Sequence, residues 1–311
     1  MNKDFLVSVV IPVYNEEKNI SPLLKELLLV IRQYRYEIIF VDDGSQDATL
    51  TEIKKYASKN RDLKLISLLR NFGHQAALSA GYEASSGDCV ITMDSDLQDP
   101  PRIIPDLIKK WKDGAKIVYA RRQSRSADPV FKRASAHIFY KFINLLSDTA
   151  IPQEVGDFRL LGREVVDFLN KLPEQSRFLR GLVAWAGYPA VYVSFTRGAR
   201  HAGYTHYSFS RMLNFAFEGI TSFSVKPLRL SIYLGFLASA SSILIIIIKS
   251  FQHFVLGAGD WLPGWASLFF SIVFLGGIQL ITLGIVGEYI AKIYKEVQGR
   301  PQYIIGEKVN L

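Results

Sequence analysis

The N-terminal third of the chain alternates short, almost continuous apolar runs with segments in which apolar residues recur every three or four positions. Continuous runs rich in β-branched residues are typical of parallel strands buried on both faces, and the three-to-four spacing indicates amphipathic helices. The pattern predicts strands at residues 5–13, 36–41, 64–69 and 89–93, and helices at residues 20–32, 48–60 and 75–84. Pro22 would then lie in the first turn of a helix, where proline is tolerated. The alternation predicts a doubly wound α/β sheet.

The C-terminal part has a different pattern, because two long runs, residues 230–248 and 261–287, contain no charged residue. Each run is long enough to cross a hydrocarbon core of about 30 Å. Basic residues flank the outer ends of the pair, at Lys226, Arg229, Lys292, Lys295 and Arg300, whereas the loop between the runs has His253 and Asp260. By the positive-inside tendency both chain ends are cytoplasmic, with Lys249 snorkelling from the far end of the first run. The alternative is a pair of buried helices in a large soluble core.

Two further segments, residues 130–146 and 207–225, combine basic and aromatic residues at helical spacing. Each is either a helix in the headgroup plane of a membrane or an amphipathic core helix, and the neighbouring uncharged runs favour membrane contact. We therefore expect a cytoplasmic α/β domain at residues 1–206, with an interfacial helix at about 130–147, and a second interface helix at 207–228. A two-helix transmembrane anchor with a cytoplasmic tail would occupy residues 229–311. No signal-like apolar core precedes Pro12, which fits this placement.

Composition narrows the class of protein only slightly. Hydrophobic residues make up 49% of the chain, and the excess lies after about residue 230. The net charge of +8 suits nucleic acid, anionic headgroups or phosphorylated substrates equally. A single cysteine, Cys89, excludes an intramolecular disulfide and a cysteine-rich zinc site, and its apolar flanks predict a buried strand position.

Polar clusters directly follow the predicted strands, at residues 14–17, 42–47, 70–75 and 94–96. Doubly wound sheets bind ligands at the carboxyl ends of their strands, so the clusters predict one site. Asp94 and Asp96 can both approach one hard divalent cation, which would neutralise phosphate groups, and Gln98 adds a neutral oxygen. The alternative is a solvated turn. The sequence lacks the glycine-rich dinucleotide fingerprint and the Gly-Lys-Ser or Gly-Lys-Thr of a P-loop, which removes the main support for those classes.

Three other segments are candidates for ligand contact. Residues 70–75 combine a glycine, two amides and a helix N-terminus, features that suit a nucleotide or a sugar, whereas His74 is equally explained as a loop residue. Asp157 either orients or deprotonates an acceptor, or pairs with Arg159. Residues 197–207, which are basic and punctuated by glycine, form either a lid over a diphosphate or a linker.

Five motifs occur in a fixed order along the chain. They are Pro12-Val13-Tyr14-Asn15-Glu16, Val41-Asp42-Asp43-Gly44-Ser45, Asn71-Phe72-Gly73, Asp94-Ser95-Asp96-Leu97-Gln98-Asp99-Pro100 and Arg200-His201-Ala202-Gly203. Together they resemble the polyprenyl-phosphate glycosyltransferases of glycosyltransferase family 2, which include dolichol-phosphate mannose synthases and, more nearly, bacterial bactoprenol glucosyltransferases. The resemblance covers almost the whole chain, including both uncharged runs. One departure is His206, where many relatives carry lysine.

The resemblance implies a GT-A fold and an inverting transfer of a hexose to polyprenyl phosphate. The expected donor is UDP-glucose, with GDP-mannose and other UDP-hexoses as alternatives, and the expected cofactor is Mg²⁺ or Mn²⁺. The expected location is the bacterial inner membrane, with no nucleic-acid partner. The small anchor under a sizeable domain also suggests a homo-oligomer.

Site residues carry over motif by motif. The nucleotide-sugar contacts would be Pro12, Tyr14, Glu16, Asp42, Asp43, Asn71, Gly73, Gln75, Asp94, Ser95, Asp96 and Arg200. The metal ligands would be Asp94, Asp96 and Gln98, and the acceptor phosphate would meet Arg122, Arg133 and Ser135. Asp157 matches the position of a catalytic base, although a phosphate monoester is already anionic at pH 7, with a second pKa of about 6.

Two other functions fit parts of this pattern. A processive polysaccharide synthase shares the donor-binding domain, but that class carries a Gln-X-X-Arg-Trp motif and more transmembrane spans than the two uncharged runs here. A membrane scaffold or sugar-nucleotide sensor would keep the fold without the chemistry, and such a protein is expected to lose the Asp94 and Asp96 pair that this sequence retains.

Overall fold

The computed structural model describes residues 4–122, 155–175, 177–196, 224–255 and 264–311. The interfacial helix expected near 130–147 and most of the one expected at 207–228 lie outside these ranges. So do the candidate lid at residues 197–207, the loop residue Asp260, and the site residues Arg133, Ser135, Arg200 and His206.

Within the described ranges, eight strands form one mixed sheet in the order β7-β5-β6-β4-β1-β2-β3-β8. The strands are β1 (Leu6–Val13), β2 (Arg35–Asp42), β3 (Leu63–Leu68), β4 (Cys89–Thr92), β5 (Ile117–Arg122), β6 (Val155–Gly162), β7 (Ala190–Phe195) and β8 (Ile305–Val309). The α-helices are α1 (Glu17–Ile31), α2 (Thr49–Ala57), α3 (His74–Ala84), α4 (Ile104–Lys112), α5 (Arg163–Lys171), α6 (Leu179–Trp185), α7 (Lys226–Phe254) and α8 (Trp265–Gln298).

The four central strands, β3, β2, β1 and β4, run parallel, as the alternating pattern predicted. The flanks differ from a purely parallel sheet, because β6 lies antiparallel between β4 and β5, and β8 lies antiparallel beside β3. Short-range periodicity does not encode strand direction, so these two strands could not be assigned from the sequence. The antiparallel direction of β6 decides where its first residues lie relative to the site.

Helices cover both faces of the sheet. Val7, Val9 and Ile11 of β1 pack with helices α1, α2 and α4 on one face, whereas Val10 of the same strand packs with α3, α5 and α6 on the other. Successive side chains of a strand point to opposite faces, so a strand buried between two helical layers must be apolar at every position. This is the physical reason for the continuous apolar runs in the sequence.

The predicted ends of the strands and helices lie within three residues of those in the structure. Helix α1 starts three residues early, at Glu17 rather than at residue 20. Pro22 therefore lies inside the helix and not in its first turn, so the sequence-based placement of this proline was wrong. The earlier start is supported by backbone bonds at the preceding loop, where Glu16 N–H donates to Thr49 Oγ1 at 2.8 Å. Cys89 is buried in β4, as predicted.

Helices α7 and α8 contain the two uncharged runs and are long and apolar enough to cross a membrane. The segments Lys226–Ile245 and Ser271–Gln298 have mean hydropathies of 1.6 and 1.7, and little of the first and none of the second is buried. A core helix of a soluble protein would be mostly buried, so the exposure of these apolar side chains argues against the soluble-core alternative. The two helices pack on each other, and Tyr289 Oη donates to the carbonyl of Ser224 at 2.6 Å.

The C-terminal tail returns to the α/β domain and is not only a continuation of the helical pair. Strand β8 pairs with β3, and Asn310 Nδ2 donates to the carbonyls of Ala57 and Leu63 at 2.9 and 2.8 Å. At the same edge, Lys54 Nζ lies 2.6 Å from Glu307 Oε2. The last residues of the chain therefore complete the sheet and hold the end of α8 against the domain.

A buried carboxylate in the sheet gives the fold a test that is independent of function. Glu37 of β2 accepts hydrogen bonds from Ser8 Oγ, Lys64 Nζ and Ser86 N–H at 2.5, 2.6 and 2.6 Å. Desolvation by burial raises the pKa of Glu37, but the hydrogen bonds and the charge of Lys64 lower it by more, so the net pKa is below the ordinary value of 4.5. A carboxylate with a depressed folded-state pKa stabilises the protein above the unfolded-state pKa and loses that contribution as the pH falls.

We expect Glu37→Gln to lower the free energy of unfolding by about 1–3 kcal/mol at pH 7, because it leaves buried donors poorly paired. The deficit relative to the wild type should shrink as the pH falls below about 4.5 and through the folded-state pKa. Thermal unfolding in detergent, followed by tryptophan fluorescence between pH 7 and pH 4, measures the difference. Glu26→Gln, on the exposed face of α1, is the matched control. Equal deficits at both pH values would contradict the assignment.

Candidate active site

The carboxyl ends of the parallel strands open onto a cavity of about 900 Å³. The loops after β1, β2, β3 and β4 all contribute to its wall, which is the arrangement expected for a doubly wound sheet. Of the site residues expected from the sequence, those that line the cavity are Pro12, Tyr14, Glu16, Asp43, Asn71, Gly73, Gln75, Asp94, Ser95, Asp96 and Asp157, and His74 lies beside them. The structure thus brings together most of the residues that the motifs selected.

Asp43 organises one side of the cavity by holding the loop after β3. Its carboxylate accepts hydrogen bonds from the backbone N–H groups of Phe72 and Gly73 at 2.7 and 2.9 Å. Desolvation raises the pKa of Asp43, although these two hydrogen bonds oppose the shift. Gly44 allows the two loops to approach, because its φ is +72° and an added Cβ would lie 2.5 Å from the carbonyl carbon of Arg70. The Asp-Asp-Gly motif therefore holds the loop after β2 against the loop after β3 at the edge of the site.

Asp94 and Asp96 lie in a tight turn after β4. Leu97 has a φ of +60°, in the left-handed region, and this turn lets Gln98 N–H donate to Asp96 Oδ1 at 3.1 Å. Asp99 lies behind the turn, with its Oδ2 3.3 Å from the backbone nitrogen of Asp94. Desolvation raises the pKa values of both Asp94 and Asp99, that of Asp99 to about 7, and neighbouring aspartates add to both shifts. The turn therefore concentrates acidic groups where water is partly excluded.

Asp157 reaches the same edge because β6 is antiparallel. Arg159 of β6 pairs with Thr92 of β4, so residues N-terminal to Arg159 lie beside the carboxyl end of β4. The Asp157 side chain is only 1% exposed and accepts two hydrogen bonds from Arg180, from Nε at 3.0 Å and from Nη2 at 2.7 Å. Arg159 is fully buried, and its Nη2 lies 3.8 Å from Asp157 Oδ1. The sequence proposed Arg159 as the ion-pair partner of Asp157; Arg159 lies within ion-pair distance, but Arg180 is the nearer guanidinium.

His74 connects Asp157 to the acidic turn. Its Nε2 lies 3.2 Å from Asp157 Oδ2 and 4.0 Å from Asp94 Oδ1. Desolvation lowers the pKa of His74, but the hydrogen bond and charge of Asp157 raise it by more, so the net pKa is raised. Desolvation also raises the pKa of Asp157, yet the charge of Arg180 and the bonds from His74 and Arg180 bring it well below the usual range. Asp157 is therefore held as an anion between cationic partners.

Three residues that the resemblance selected do not line the cavity. Asp42 is buried and accepts hydrogen bonds from Ser45 N–H and Ser67 Oγ, both at 3.1 Å. Gln98 is also buried, and Arg122 at the end of β5 lies close enough to Asp99 for its charge to lower the pKa of that carboxyl. In this structure none of the three side chains belongs to the cavity wall.

Other residues line the cavity although no motif pointed to them. They come from the segment before α6, from α6 itself, and from the end of α8 and the tail, and are Gln175, Arg177, Phe178, Arg180, Glu288, Ala291, Lys292, Lys295 and Gln302. Lys292 and Lys295 were noted in the sequence only as basic flanks of an apolar run. Their spacing with Glu288 and Ala291, at i, i+3, i+4 and i+7, indicates one helical face, but the sequence does not show what that face meets.

Comparison with known proteins assigns this architecture to a family. A family model described as Glycosyl transferase family 2 matches residues 8–169. The chain belongs to glycosyltransferase family 2. An uncharacterized glycosyltransferase of Synechocystis sp. is 44% identical over 97% of this chain and 95% of the relative. The SfII prophage-derived bactoprenol glucosyl transferase of Shigella flexneri is 43% identical over 96% of this chain and 97% of the relative.

The fold of this family 2 glycosyltransferase also matches a solved structure. The mannosyltransferase PcManGT from Pyrobaculum calidifontis, determined in complex with GDP-Man and Mn²⁺, has a TM-score of 0.50 with 16% sequence identity, and the match covers 94% of this chain and 86% of that one. At this identity the similarity concerns the fold alone. It confirms the GT-A fold that the motifs implied.

The buried pair of Asp157 and Arg180 in this glycosyltransferase can be tested by stability. We expect Arg180→Ala to lower the free energy of unfolding by about 3–5 kcal/mol, because it leaves a buried carboxylate without its principal partner. The double variant Asp157→Asn with Arg180→Ala should be more stable than Arg180→Ala alone, because the uncompensated charge is gone. Urea unfolding of the four proteins of this cycle measures the coupling. A double variant less stable than Arg180→Ala would refute the account.

Proposed function

We propose that the protein transfers a hexose, with inversion, from a nucleoside diphosphate sugar to polyprenyl phosphate at a membrane surface, and that UDP-glucose is the donor. The observation that carries the proposal is the cavity at the carboxyl ends of the parallel strands, which joins the Asp94 and Asp96 turn to basic residues. Relatives 43% identical over nearly their full length, named bactoprenol glucosyl transferases, support the glucosyl group and the lipid acceptor.

A divalent cation, Mg²⁺ or Mn²⁺, fits the acidic turn. Asp94 and Asp99 both have raised pKa values because their charges are desolvated and close together, and a cation would relieve that repulsion. Asp99 Oδ1 is buried and has no hydrogen-bond partner among the described residues. No group of three His, Cys, Asp or Glu side chains in the described ranges could hold a metal alone. Asp94 and Asp96 would therefore share the ion with donor phosphates, an arrangement typical of Mg²⁺.

The chain's own residues would orient the donor. Asp43 holds the Phe72 and Gly73 loop, and Tyr14 and Glu16 lie on the same side of the cavity, where a nucleoside would fit. Asp94 and Asp96 would hold the cation, which when bound would stabilise the negative charge of the departing diphosphate. A donor held on this side would present its anomeric carbon toward the rest of the cavity, where an anionic oxygen could approach from the side opposite the diphosphate.

Asp157 would act by position and not by accepting a proton. Its pKa lies well below the usual range, and both oxygens already accept hydrogen bonds from Arg180. A phosphate monoester has a second pKa of about 6 and so is already nucleophilic near pH 7. One of its oxygens would form the new bond to the anomeric carbon as the bond to the diphosphate oxygen breaks. Asp157 would then hold Arg180 and His74 at the edge of the reacting groups.

Membrane attachment would hold the active site at the surface where the lipid acceptor lies. Helices α7 and α8 are long, apolar and exposed; α8 is joined to the α/β domain through β8, and α7 packs on α8, where Tyr289 donates to the carbonyl of Ser224. A polyprenyl chain cannot leave the bilayer and a nucleotide sugar cannot enter it, so the enzyme must work at the interface. We propose integral insertion in the bacterial inner membrane, with the catalytic domain and both chain ends on the cytoplasmic side, and a homo-oligomeric state.

The reaction can be measured with purified protein, labelled nucleotide sugars and undecaprenyl phosphate, followed by organic extraction of the glycolipid. We expect transfer from UDP-glucose to exceed transfer from GDP-mannose and other UDP-hexoses. EDTA should abolish transfer, and Mg²⁺ or Mn²⁺ should restore it. Asp94→Asn and Asp96→Asn should each lower kcat/KM by about 100-fold or more, because the charge that holds the leaving group is weakened.

Asp106→Asn, an exposed aspartate on α4, is the matched control and should leave kcat/KM unchanged. Wild-type rates from Asp96→Asn, or transfer that persists in excess EDTA, would contradict the metal assignment. A wild-type enzyme that moved no sugar from any donor to lipid phosphate would overturn the proposed function as a whole.

A further inference from the structure

One face of the end of α8 forms a wall of the cavity. Glu288, Ala291, Lys292 and Lys295 all line it, and their spacing places them in a single stripe on the helix. The stripe starts directly after the uncharged run that ends at Gly287. The helix that is long enough to cross a membrane therefore runs into the active site without an intervening linker.

This wall is fixed to the α/β domain on two sides. Glu296, one residue beyond Lys295, accepts a hydrogen bond from the backbone N–H of Gln175 at 2.8 Å. Gln302, just past the helix, donates to the carbonyl of Glu174 at 2.6 Å, and β8 then joins the sheet. Lys292 and Lys295 therefore lie on a helix end that hydrogen bonds and strand pairing attach to the α/β domain.

The charges of the cavity are divided between its walls. The sheet side carries the acidic turn of Asp94 and Asp96, whereas the α8 side carries two lysines, Lys292 and Lys295, against one carboxylate, Glu288, and Arg177 also lines the cavity. Arg177 donates to the backbone carbonyls of Leu172 and Glu174. If the donor binds at the acidic turn through a cation, the lysines of α8 are left for a second anion.

The apolar surface of α8 indicates which anion that is. Ile281 and Leu283 are exposed one to two turns before the stripe, and the segment from Ser271 onward is unburied. A lipid lying along this helix would bring its headgroup to the level of Glu288 and beyond, where the first basic side chains of the helix lie. Lysine ammonium groups bind phosphate oxygens as compact point charges.

We propose that Lys292 and Lys295 contact the phosphate of the lipid acceptor, in addition to Arg133 and Ser135 expected from the resemblance, so that the membrane helix itself contributes to acceptor recognition. This inference rests on the proposed function for the identity of the acceptor. The same chemistry would suit the diphosphate of the donor, and the two sources are separated by measuring each substrate on its own.

The test is steady-state kinetics of Lys292→Ala with Lys295→Ala in detergent micelles, with undecaprenyl phosphate and the nucleotide sugar varied separately. We expect the KM for undecaprenyl phosphate to rise at least about tenfold and the KM for the donor to stay within about twofold, because two charge-assisted contacts are lost. Lys292→Arg with Lys295→Arg should recover most of the affinity. Arg300→Ala removes an exposed positive charge that does not line the cavity, and it should leave both constants unchanged.

A rise in the KM for the donor with no change for the acceptor would overturn the inference, as would unchanged values for both. Binding of undecaprenyl phosphate and of undecaprenol to wild type and variant, measured in the same micelles without any donor, tests the site even if no sugar is transferred. We expect the wild type to prefer the phosphate and the double alanine variant to lose that preference. A preference that is absent from the wild type, or retained by the variant, would refute the lysine site.

Discussion

The structure depends on one constraint: several carboxylates lie close together where the parallel strands β1 to β4 end and the antiparallel strand β6 begins. The hydrogen bonds and charges that balance each carboxylate differ. Asp43 accepts two backbone N–H groups, and Asp157 accepts two bonds from Arg180 and lies beside His74. The turn of Asp94, Asp96 and Asp99 keeps raised pKa values at its first and last aspartate, with desolvation as the first cause. The outer carboxylates are thus compensated within the protein, whereas two aspartates of the central turn keep raised pKa values, and this is the reason for proposing the cation and the donor phosphates at that turn.

The second half of the chain completes this site. Strand β8 pairs with β3, and the bonds from Gln175 and Gln302 fasten the end of α8 beside α6, which carries Arg180. A simple tether would need no defined contact with the active site, since a flexible linker would hold the domain near the membrane equally well. The contacts instead give the apolar helix a fixed position relative to the reacting groups, and this connects the membrane location of the enzyme to its chemistry.

The sequence predicted the central part of the fold and the acidic turn, and it failed where contacts join distant segments. The apolar runs identified β1 to β4, and the strand-end rule placed Asp94, Asp96 and Asp43 at one edge, because both signals are local. The antiparallel direction of β6 is a property of pairing, so the Asp157 and Arg180 contact, 23 residues apart in the chain, was not predictable from composition or spacing. The contacts of His74 with Asp157 and Asp94 join distant segments in the same way, so the sequence left the role of His74 open. Lys292 and Lys295 likewise line a cavity whose other walls come from residues more than a hundred positions earlier in the chain, and the turn at Gly299 leads from their helix into β8.

The division of charge across the cavity agrees with the stereochemistry of the proposed reaction. Inversion requires the nucleophile to approach the anomeric carbon from the side opposite the leaving group, so the acceptor phosphate and the departing diphosphate must lie on different sides of the sugar. The two phosphate groups repel each other strongly when they are bound close together on the same surface. In the proposed reaction the acidic turn would hold the diphosphate through a cation and the lysines of α8 would face the lipid phosphate, which would keep the two anions apart. The opposite polarity of the two walls would then set the direction of attack, and the position of α8 would set the side from which the lipid enters.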